Sequence, residues 1–197
     1  MSFTDAPTLR HDRVVLEQLT AAHAPDLAEA SAFEDLWRTW YTSIPSPEGM
    51  LAEIERRLDL QAAGSMAPFA VIDPRTGRAV GMTTFMNIEV DDRRVEIGHT
   101  WLGRQAQRTG INTAAKLLLL TRAFEVLDCI AVEFRTHWHN RQSRQAIAEL
   151  GAKQDGVLRN HRISADGVLR DTVVFSIIAN EWPTVRLNLS ERLVRHS

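Results

Sequence analysis

The chain has 197 residues, of which 44% are hydrophobic, and this size and composition fit one domain with a sizeable buried core. Its 23 basic and 25 acidic side chains are interspersed and give a formal net charge of -2, so no global positive field exists to attract nucleic acid or an anionic membrane. The longest apolar run, residues 117–120, is far shorter than the ~20 residues that span a bilayer, and residues 1–13 lack the apolar segment of a secretion signal.

The single cysteine and the lack of low-complexity segments lead to expectations about the compartment and the domain organisation. Cys129 is the single cysteine, so no internal disulfide can form, which fits a reducing compartment, and we expect a cytoplasmic protein. No repeat, linker or low-complexity segment divides the sequence. It therefore predicts one domain over residues 1–197, with a C-terminal helical extension from about residue 180 to 197.

The first third of the chain predicts one strand and two helices. Alternating apolar residues indicate a strand over residues 13–19, and Thr20 is a typical N-cap for a helix that runs to about residue 31. A tryptophan-rich stretch, residues 33–41, follows. Ser46 then resembles an N-cap with a proline directly after it, and apolar residues repeat on one helical face until Gly64.

The middle third predicts a hairpin, a third strand and a long buried helix. Residues 67–72 and 79–87 are strand-like, and the turn-forming residues 73–77 between them favour an antiparallel pair. Residues 93–102 predict the next strand. The apolar residues of segment 109–127 cover most of a helical circumference, which indicates a central helix buried on several sides.

The last third continues with a strand over residues 130–136 and a helix over residues 140–150. Asn140 is its predicted N-cap and Gly151 follows its end, so strand, helix, strand and helix form a crossover unit. Residues 172–178 predict a final strand. A C-terminal helix begins near Trp182 and carries three apolar residues that seek a surface: Leu187, Leu193 and Val194.

The most informative segment is the loop at residues 107–113, between a strand end and the start of the buried helix. Free N–H groups at a helix start, a glycine that allows close approach and the positive end of the helix dipole suit a diphosphate, with Arg104 and Arg108 as charge partners. An ordinary helix entry with a tight turn is the alternative. A Walker loop is excluded because Ile111 and Asn112 follow Gly110, and no Gly-x-Gly-x-x-Gly of a Rossmann fold occurs.

The ordered set of motifs resembles the GNAT superfamily of acetyltransferases. It consists of a strand, Gln107-x-x-Gly110-x-Asn112, a long helix, a strand, Asn140-x-x-Ser143, and a helix that ends in residues 149–152. Within the superfamily, the order is similar to the branch that contains ribosomal-protein N-terminal (RimJ/RimL-type) acetyltransferases. The likeness runs from about residue 10 to residue 182. It implies an α+β fold, with a central, mostly antiparallel sheet whose middle strands splay apart and which helices flank.

The same resemblance implies that acetyl-CoA is the cosubstrate and that its pantetheine arm inserts between the splayed strands 93–102 and 130–136. Asn140 would bind the pantetheine amide, and Ser143 would donate a proton to the departing thiolate. The implied cofactor-binding residues are Trp101, Leu102, Gln107, Arg108, Thr109, Gly110, Ile111, Asn112, Thr113, Asn140 and Ser143. Asn140 as a simple N-cap, which does not exclude that role, and Ser143 as a solvated serine are the alternative interpretations.

Two positions in and near this site depart from a simple pattern. The family has Gly or Ala where this chain has Asn112, and we expect the loop to form nevertheless because Asn tolerates unusual backbone angles. Gly98, inside a predicted strand, indicates either a bulge or close backbone approach, or else a tolerated glycine.

Acetylation of an amine also requires a group that removes a proton, because an alkylammonium is protonated at neutral pH. Glu96, in the middle of its strand, is the leading candidate, and a solvent-facing glutamate paired with an arginine is the alternative. His99 would lie on the opposite face if no bulge intervenes, and a half-buried structural histidine is its favoured interpretation.

The sequence thus predicts acetyl transfer from acetyl-CoA to a primary amine, either a protein N-terminus or a small molecule. A non-catalytic acyl-CoA sensor with the same pocket is the alternative. We expect no nucleic-acid or membrane partner and no metal, since His137 and His139 alternate with Trp138 and no third ligand is near them. The family and the C-terminal helix favour a homodimer.

Overall fold

In the computed structural model, which describes residues 2–164 and 166–195, eight strands form one sheet in the order β1-β2-β3-β4-β5-β6-β8-β7. The strands are β1 (Leu9–His11), β2 (Val14–Gln18), β3 (Met66–Asp73), β4 (Arg78–Glu89), β5 (Arg94–Leu102), β6 (Ala131–His137), β7 (Lys153–Ile163) and β8 (Leu169–Ile178). The helices are α1 (Ala24–Ala32), α2 (Met50–Ala62), α3 (Ile111–Thr121), α4 (Arg141–Glu149) and α5 (Trp182–Arg195). This is the predicted α+β architecture.

All neighbouring strands are antiparallel except β5 and β6, which are parallel. A parallel pair cannot be joined by a tight turn, and α3 supplies the crossover between these two strands. Their pairing is short. It begins at Arg94 with Ala131 and ends at Glu96 with Glu133, after which the two strands diverge.

Helices cover both faces of the sheet over two separate clusters of buried side chains. On one face, called the α3 face, the core packs against α3, α4 and α5 through residues such as Leu119, Ile147 and Leu189. On the other, the α2 face, Leu27 of α1 and Ile54 of α2 cover the sheet. The divergence of β5 and β6 opens the sheet between these two covered faces.

Several predicted elements are present with shifted bounds. The hairpin of β3 and β4 is confirmed, with Gly77 at φ +70° in its turn. Helix α2 begins at Met50 rather than at Ser46, because Ser46 Oγ accepts a hydrogen bond from the N–H of Gly49 (3.1 Å) and caps a turn before the helix. The long predicted helix is α-helical only to Thr121, and a π-helical turn over residues 122–126 continues it.

Strand β7 was not predicted from the sequence. Its burial pattern is exposed or intermediate at every position, so it lacks the apolar alternation that marked the other strands. It forms the outer edge of the sheet and pairs only with β8.

The C-terminal helix corrects one expectation about its apolar residues. Leu193 is buried in the core on the α3 face, whereas Leu187 and Val194 are 62% and 69% exposed. A homodimer stays a prediction, and these two exposed side chains are the ones that a partner copy could cover. Residues 196 and 197 of the predicted extension lie outside the described residues. No helix within the described ranges is both long and apolar enough to cross a bilayer.

Candidate active site

A cleft of about 490 Å³ lies where β5 and β6 diverge. Past Glu96 and Glu133 the two strands no longer pair, so the backbone groups that β5 directs toward β6 in residues 97–102 have no strand partner on that side. Buried backbone groups need hydrogen-bond partners, and an extended amide-bearing ligand is one way to supply them. The cleft therefore has the form of a slot for a chain such as pantetheine.

A β-bulge in β5 shapes this cleft. Met82 of β4 pairs with Trp101 and Thr84 pairs with Gly98, so both His99 and Thr100 lie opposite the single residue between them. His99 adopts a left-handed backbone, with φ +47°. Because a bulge inserts one residue, the alternation of side chains is shifted beyond it.

The bulge decides where His99 points. Without it, His99 would lie on the face opposite Glu96; with it, the imidazole lies among residues of the α2 face and shares a second, smaller cavity with Glu53 and Arg56. Burial and the nearby Arg57 guanidinium lower the pKa of His99 to about 4. An imidazole with so low a pKa holds a proton poorly at neutral pH, which makes it a weak general base.

Glu96 is better suited than His99 to act as the base. Its side chain lines the cleft and the residue is only 5% exposed. The carboxylate accepts a hydrogen bond from Asn87 Nδ2 (2.7 Å) and lies 3.5 Å from Arg135 Nε. Burial raises the pKa of Glu96, and Asn87 and Arg135 partly offset that rise. A buried carboxylate with a raised pKa suits proton abstraction near neutral pH.

Gly98 makes room for this carboxylate. A Cβ at position 98 would lie 2.6 Å from Met86 Sδ and 3.0 Å from Glu96 Oε1, distances that require the neighbours to move. Both predicted features are therefore present. The bulge lies at His99 and Thr100, and the close approach is at Gly98 beside them.

The loop before α3 has the backbone of an anion-binding turn. Arg108 and Gly110 adopt positive φ values of +62° and +87°, and the first backbone bond into the helix runs from Ala114 N to Gly110 O (3.0 Å). The N–H groups of Ile111, Asn112 and Thr113 consequently lack intrahelical acceptors. Successive free N–H groups at the positive end of a helix dipole form a site for phosphate oxygens.

Side chains of the predicted loop residues divide into two groups. Most of the loop lines the cleft, namely Gln107, Arg108, Gly110, Asn112 and Thr113, and so does the end of β5, through Trp101 and Leu102. In contrast, the Ile111 side chain is buried in the core and the Thr109 hydroxyl donates to Ala106 O (2.7 Å). These last two residues can contribute only backbone groups.

Asn112 does not need an unusual backbone. It lies in the first turn of α3, and the left-handed positions of the loop are Arg108 and Gly110. The conformational tolerance of Asn is therefore not what allows the loop to form. Gln107 Nε2 donates to Leu102 O (2.9 Å) and so ties the loop to the end of β5.

Arg13 also holds the loop in place, and no sequence pattern predicted this contact. Its Nη1 donates to Thr109 O (3.5 Å) and its Nη2 donates to Leu193 O (3.3 Å). A Cβ at position 110 would lie 3.2 Å from Arg13 Cδ. The loop is held between this side chain and the cleft.

Asn140 and Ser143 lie at the start of α4 on the other wall of the cleft. Asn140 is the N-cap, since its Oδ1 accepts a hydrogen bond from Ser143 N (2.9 Å), and its Nδ2 keeps donors for a ligand carbonyl. The Ser143 hydroxyl has no hydrogen-bond partner within the described part of the chain. Both residues therefore present a free polar group to the slot.

Lys116 is a buried member of the cleft that sequence analysis missed. It is 5% exposed, and its Nζ donates to Thr100 Oγ1 (2.8 Å) and Thr83 Oγ1 (3.4 Å) below the bulge. Burial lowers the pKa of Lys116 to about 7. The only sequence signal for this role is the position of Lys116 next to the apolar run of α3. The same position is also compatible with a lysine whose ammonium reaches solvent.

His137, Trp138 and His139 form no metal site by themselves. The rings of His137 and His139 lie 5.5 Å apart, and both contact Trp40. Among residues 2–164 and 166–195, no group of three or more His, Cys, Asp or Glu side chains is arranged to hold a metal ion. The loop that carries Trp40 continues along the cleft through residues 41–44.

Comparison with known proteins gives a consistent result. The family model described as "Acetyltransferase (GNAT) domain" matches residues 13–153. The Bacillus subtilis protein named "Putative ribosomal N-acetyltransferase YdaF" is 31% identical over 106 residues, which span 54% of this chain and 57% of that protein. The match therefore spans little more than half of this relative's length.

Solved structures extend the likeness to nearly the whole chain. A GCN5-related N-acetyltransferase from Brucella melitensis is 30% identical, with a TM-score of 0.84 over 95% of this chain and 85% of that one. RimJ from Mycobacterium smegmatis, in complex with CoA-disulfide, has a TM-score of 0.79 over 98% of this chain and 97% of that one, at 22% identity. The second likeness concerns the fold.

Substituting Gly110 tests the loop. We expect Gly110→Ala to raise the dissociation constant of CoA about tenfold, because alanine is strained at φ +87° and its Cβ would lie 3.2 Å from Arg13 Cδ, so that the loop and this side chain must adjust. Gly64→Ala is the matched control, since Gly64 has φ +81° in open space outside the cleft. Both variants should lose about 1–2 kcal/mol of unfolding free energy through left-handed strain. Calorimetric titration would contradict the role of the loop if the CoA affinities of the two variants were equal.

The pH dependence of stability tests the burial of Lys116. Between pH 7 and about pH 10 the unfolded chain keeps this ammonium protonated, whereas the folded chain releases the proton because its pKa falls from 10.5 to about 7. The unfolded state then binds more protons, so this residue makes the free energy of unfolding rise with pH by up to about 1.4 kcal/mol per unit. Denaturant titrations should show that Lys116→Met removes this slope and that Lys153→Met, at an exposed position, retains it. An unchanged slope in Lys116→Met would refute the assignment.

Proposed function

The chain belongs to the GNAT acetyltransferase family, and we propose that it transfers the acetyl group of acetyl-CoA directly to the N-terminal amine of a protein. Membership in this family makes the chain an acetyl-CoA-dependent N-acetyltransferase. The observation that carries the finer proposal is the joint position of Glu96, on β5, and Ser143, at the start of α4, which both line a single cleft. The ribosomal activity in the name of the Bacillus subtilis relative supports a protein acceptor.

The groups that line the cleft fit acetyl-CoA as a substrate. Backbone N–H groups of residues 111–113, with Arg108 beside them, would hold the diphosphate. The unpaired edge of β5 near Trp101 and Leu102 would hydrogen-bond the pantetheine amides, and Asn140 Nδ2 would donate to a pantetheine carbonyl. Leu102 O already accepts a hydrogen bond from Gln107 Nε2, whereas Asn140 Nδ2 and the N–H groups of residues 111–113 have no hydrogen-bond partner among the described residues.

The chemistry removes two protons from the acceptor nitrogen and delivers one to the sulfur. Glu96 accepts the first proton from the acceptor ammonium, directly or through one water, and leaves a neutral amine. The amine nitrogen attacks the thioester carbonyl carbon, and the carbon–sulfur bond breaks. Ser143, at the positive end of the α4 dipole, donates its hydroxyl proton to the leaving thiolate, and the serine oxygen regains a proton from the nitrogen of the new amide, directly or through water. Holding both substrates in one slot supplies the remaining acceleration through orientation.

The two candidate bases, Glu96 and His99, differ in how their surroundings shift their pKa values. Burial raises the pKa of the Glu96 carboxyl, whereas burial and Arg57 lower the pKa of His99 to about 4. A base whose pKa lies closer to the working pH is the more effective acceptor. This difference supports Glu96 over His99 in the proposed mechanism.

The proposed function is tested by incubating the protein with acetyl-CoA and peptides whose N-terminus is free or blocked. We expect one free CoA and one N-terminally acetylated peptide per turnover, measured by thiol titration and mass spectrometry. Peptides with a blocked N-terminus should give neither product. Saturable acetyl-CoA binding without any release of CoA would instead support the alternative, a non-catalytic acyl-CoA sensor on the same fold.

Two variants test the proton transfers. Ser143→Ala should lower turnover by roughly 10- to 1,000-fold with little change in acetyl-CoA affinity, because it removes a proton donor and not a binding group. Gln145→Ala is its control, since Gln145 lies on the same helix and bonds to Glu149. Turnover near that of the unmodified protein across pH 6 to 9 would exclude the serine.

In the same experiment, Glu96→Gln should lose most activity at low pH and recover partly as the pH rises. At low pH few amines are free, since an N-terminal amine has a pKa of about 7.7–8.0, and without the carboxylate nothing removes its proton. Glu89→Gln, which removes an exposed carboxylate at the end of β4 outside the cleft, is the control and should keep the original profile. An unshifted pH–rate profile for Glu96→Gln would transfer the role to His99 or to solvent.

A further inference from the structure

Two arginines stand directly opposite each other on the wall of the cleft that β7 and β8 form. Arg162 and Arg170 are register partners in this antiparallel pair, so their side chains project from the same face of the sheet. Both line the cleft. We call them the arginine pair.

The arginine pair lacks the neutralising carboxylates that three other arginines of the cleft have. Arg135 donates to Glu133 (2.8 Å) and lies beside Glu96, Arg104 lies beside Glu34, and Arg192 lies beside Glu149. Within the described residues, neither Arg162 nor Arg170 forms an ion pair, and the Nε of Arg170 is buried without a hydrogen-bond acceptor. Like charges at opposed positions of a sheet destabilise it, so a bound anion would offset a cost that the protein leaves uncompensated.

The arginine pair also borders the proposed reaction centre. Arg162 is close enough to lower the pKa of both Glu96 and His99 on β5, and Arg170 likewise lowers the pKa of His137 on β6. The pair therefore lies within electrostatic range of residues on both diverging strands.

Two further polar groups at this wall have no partner. Thr172 is 2% exposed and lines the cleft, and its buried hydroxyl makes no hydrogen bond with any described residue. The same holds for the buried Nδ1 of His161. Buried polar groups in proteins are usually satisfied, so unpartnered ones beside two cations indicate a polar ligand at this wall.

We propose that Arg162 and Arg170 bind a carboxylate of the acceptor, close to the amine that is acetylated. This inference rests on the proposed acetyl transfer and adds a substrate class to it, namely amines that carry a nearby negative charge. Guanidinium groups match carboxylates with two parallel hydrogen bonds, which fixes the orientation of the acceptor as well as binding it. An N-terminus followed by acidic residues supplies this chemistry, and so does a free acidic amino acid.

The test compares acceptors that differ only in charge. Peptides begin with serine followed by two glutamates, two glutamines or two lysines, and free aspartate and glutamate form a separate arm beside their side-chain amides. We expect kcat/KM for the acidic acceptors to exceed that for the basic ones by about tenfold or more. Activity on peptides alone identifies a protein acceptor, and activity on the free amino acids alone identifies a small molecule; either result with an acidic preference supports the inference.

Variants show whether the arginine pair causes the preference. Arg162→Gln with Arg170→Gln should lower kcat/KM for the acidic acceptor about tenfold, mainly through KM, and leave the glutamine peptide within about threefold. Arg170→Glu should favour the lysine peptide. Arg159→Gln is the matched control, because Arg159 lies on β7 and is exposed in an ion pair with Asp171. Thermal melting and acetyl-CoA titration verify that each variant is folded and binds its cosubstrate.

Failure of this inference differs from failure of the proposed function. Equal kcat/KM values for acidic, neutral and basic acceptors would overturn the carboxylate site while leaving acetyl transfer intact, and so would an equal loss on all acceptors in the double variant. If no amine were acetylated although acetyl-CoA bound, both the function and the inference would be overturned.

Discussion

The divergence of β5 from β6 is the constraint on which the rest of the site depends. The pair is parallel, and α3 makes the crossover that parallel pairing requires. Their ladder stops after Glu96 and Glu133, so part of the backbone of a central strand is left for a ligand to satisfy. A continuous sheet at this point would contain neither the slot for pantetheine nor a passage between the two faces. The start of α3 and the start of α4 both lie at the open end of the gap, which brings the anion-binding loop and Ser143 to the same cleft.

A single inserted residue in β5 then decides on which face of the sheet His99 and Thr100 lie. The bulge at His99 and Thr100 turns Thr100 toward Lys116 on the α3 face, while His99 points to the α2 face with Glu96. Glu96 is buried and His99 is half-buried, and removal from water acts on them with opposite sign: it raises the pKa of a carboxyl and lowers that of an imidazole. One physical effect thus favours Glu96 as the base and disfavours the histidine three positions away. Gly98 permits this arrangement because a Cβ there would lie 2.6 Å from Met86 Sδ and 3.0 Å from Glu96 Oε1.

Sequence patterns predicted the elements that carry strong local signals. The hairpin of β3 and β4, the buried α3, and α4 with its Asn140 cap all have turn chemistry, apolar periodicity or a capping residue, and each is present. Strand β7 has none of these signals, since it is a polar edge strand that β8 holds in place, and it was missed together with Arg162. The side of His99 could not be predicted either, because a bulge changes the face of every later residue and depends on pairing with β4. Arg13 and Lys116 were missed for a related reason: their partners, at Thr109 and Thr100, are set by the tertiary fold.

Hydrogen exchange measured by mass spectrometry, with and without acetyl-CoA, tests the central claim most directly. If the slot between β5 and β6 holds the pantetheine arm and the loop holds the diphosphate, acetyl-CoA should slow amide exchange in residues 97–102 and 108–113. Residues 69–72 of β3, which pair with β2 on one side and with β4 on the other, should exchange at the same rate in both states and serve as the internal reference. Unchanged exchange in the two segments at saturating acetyl-CoA, or protection confined to other parts of the chain, would contradict this account of the site.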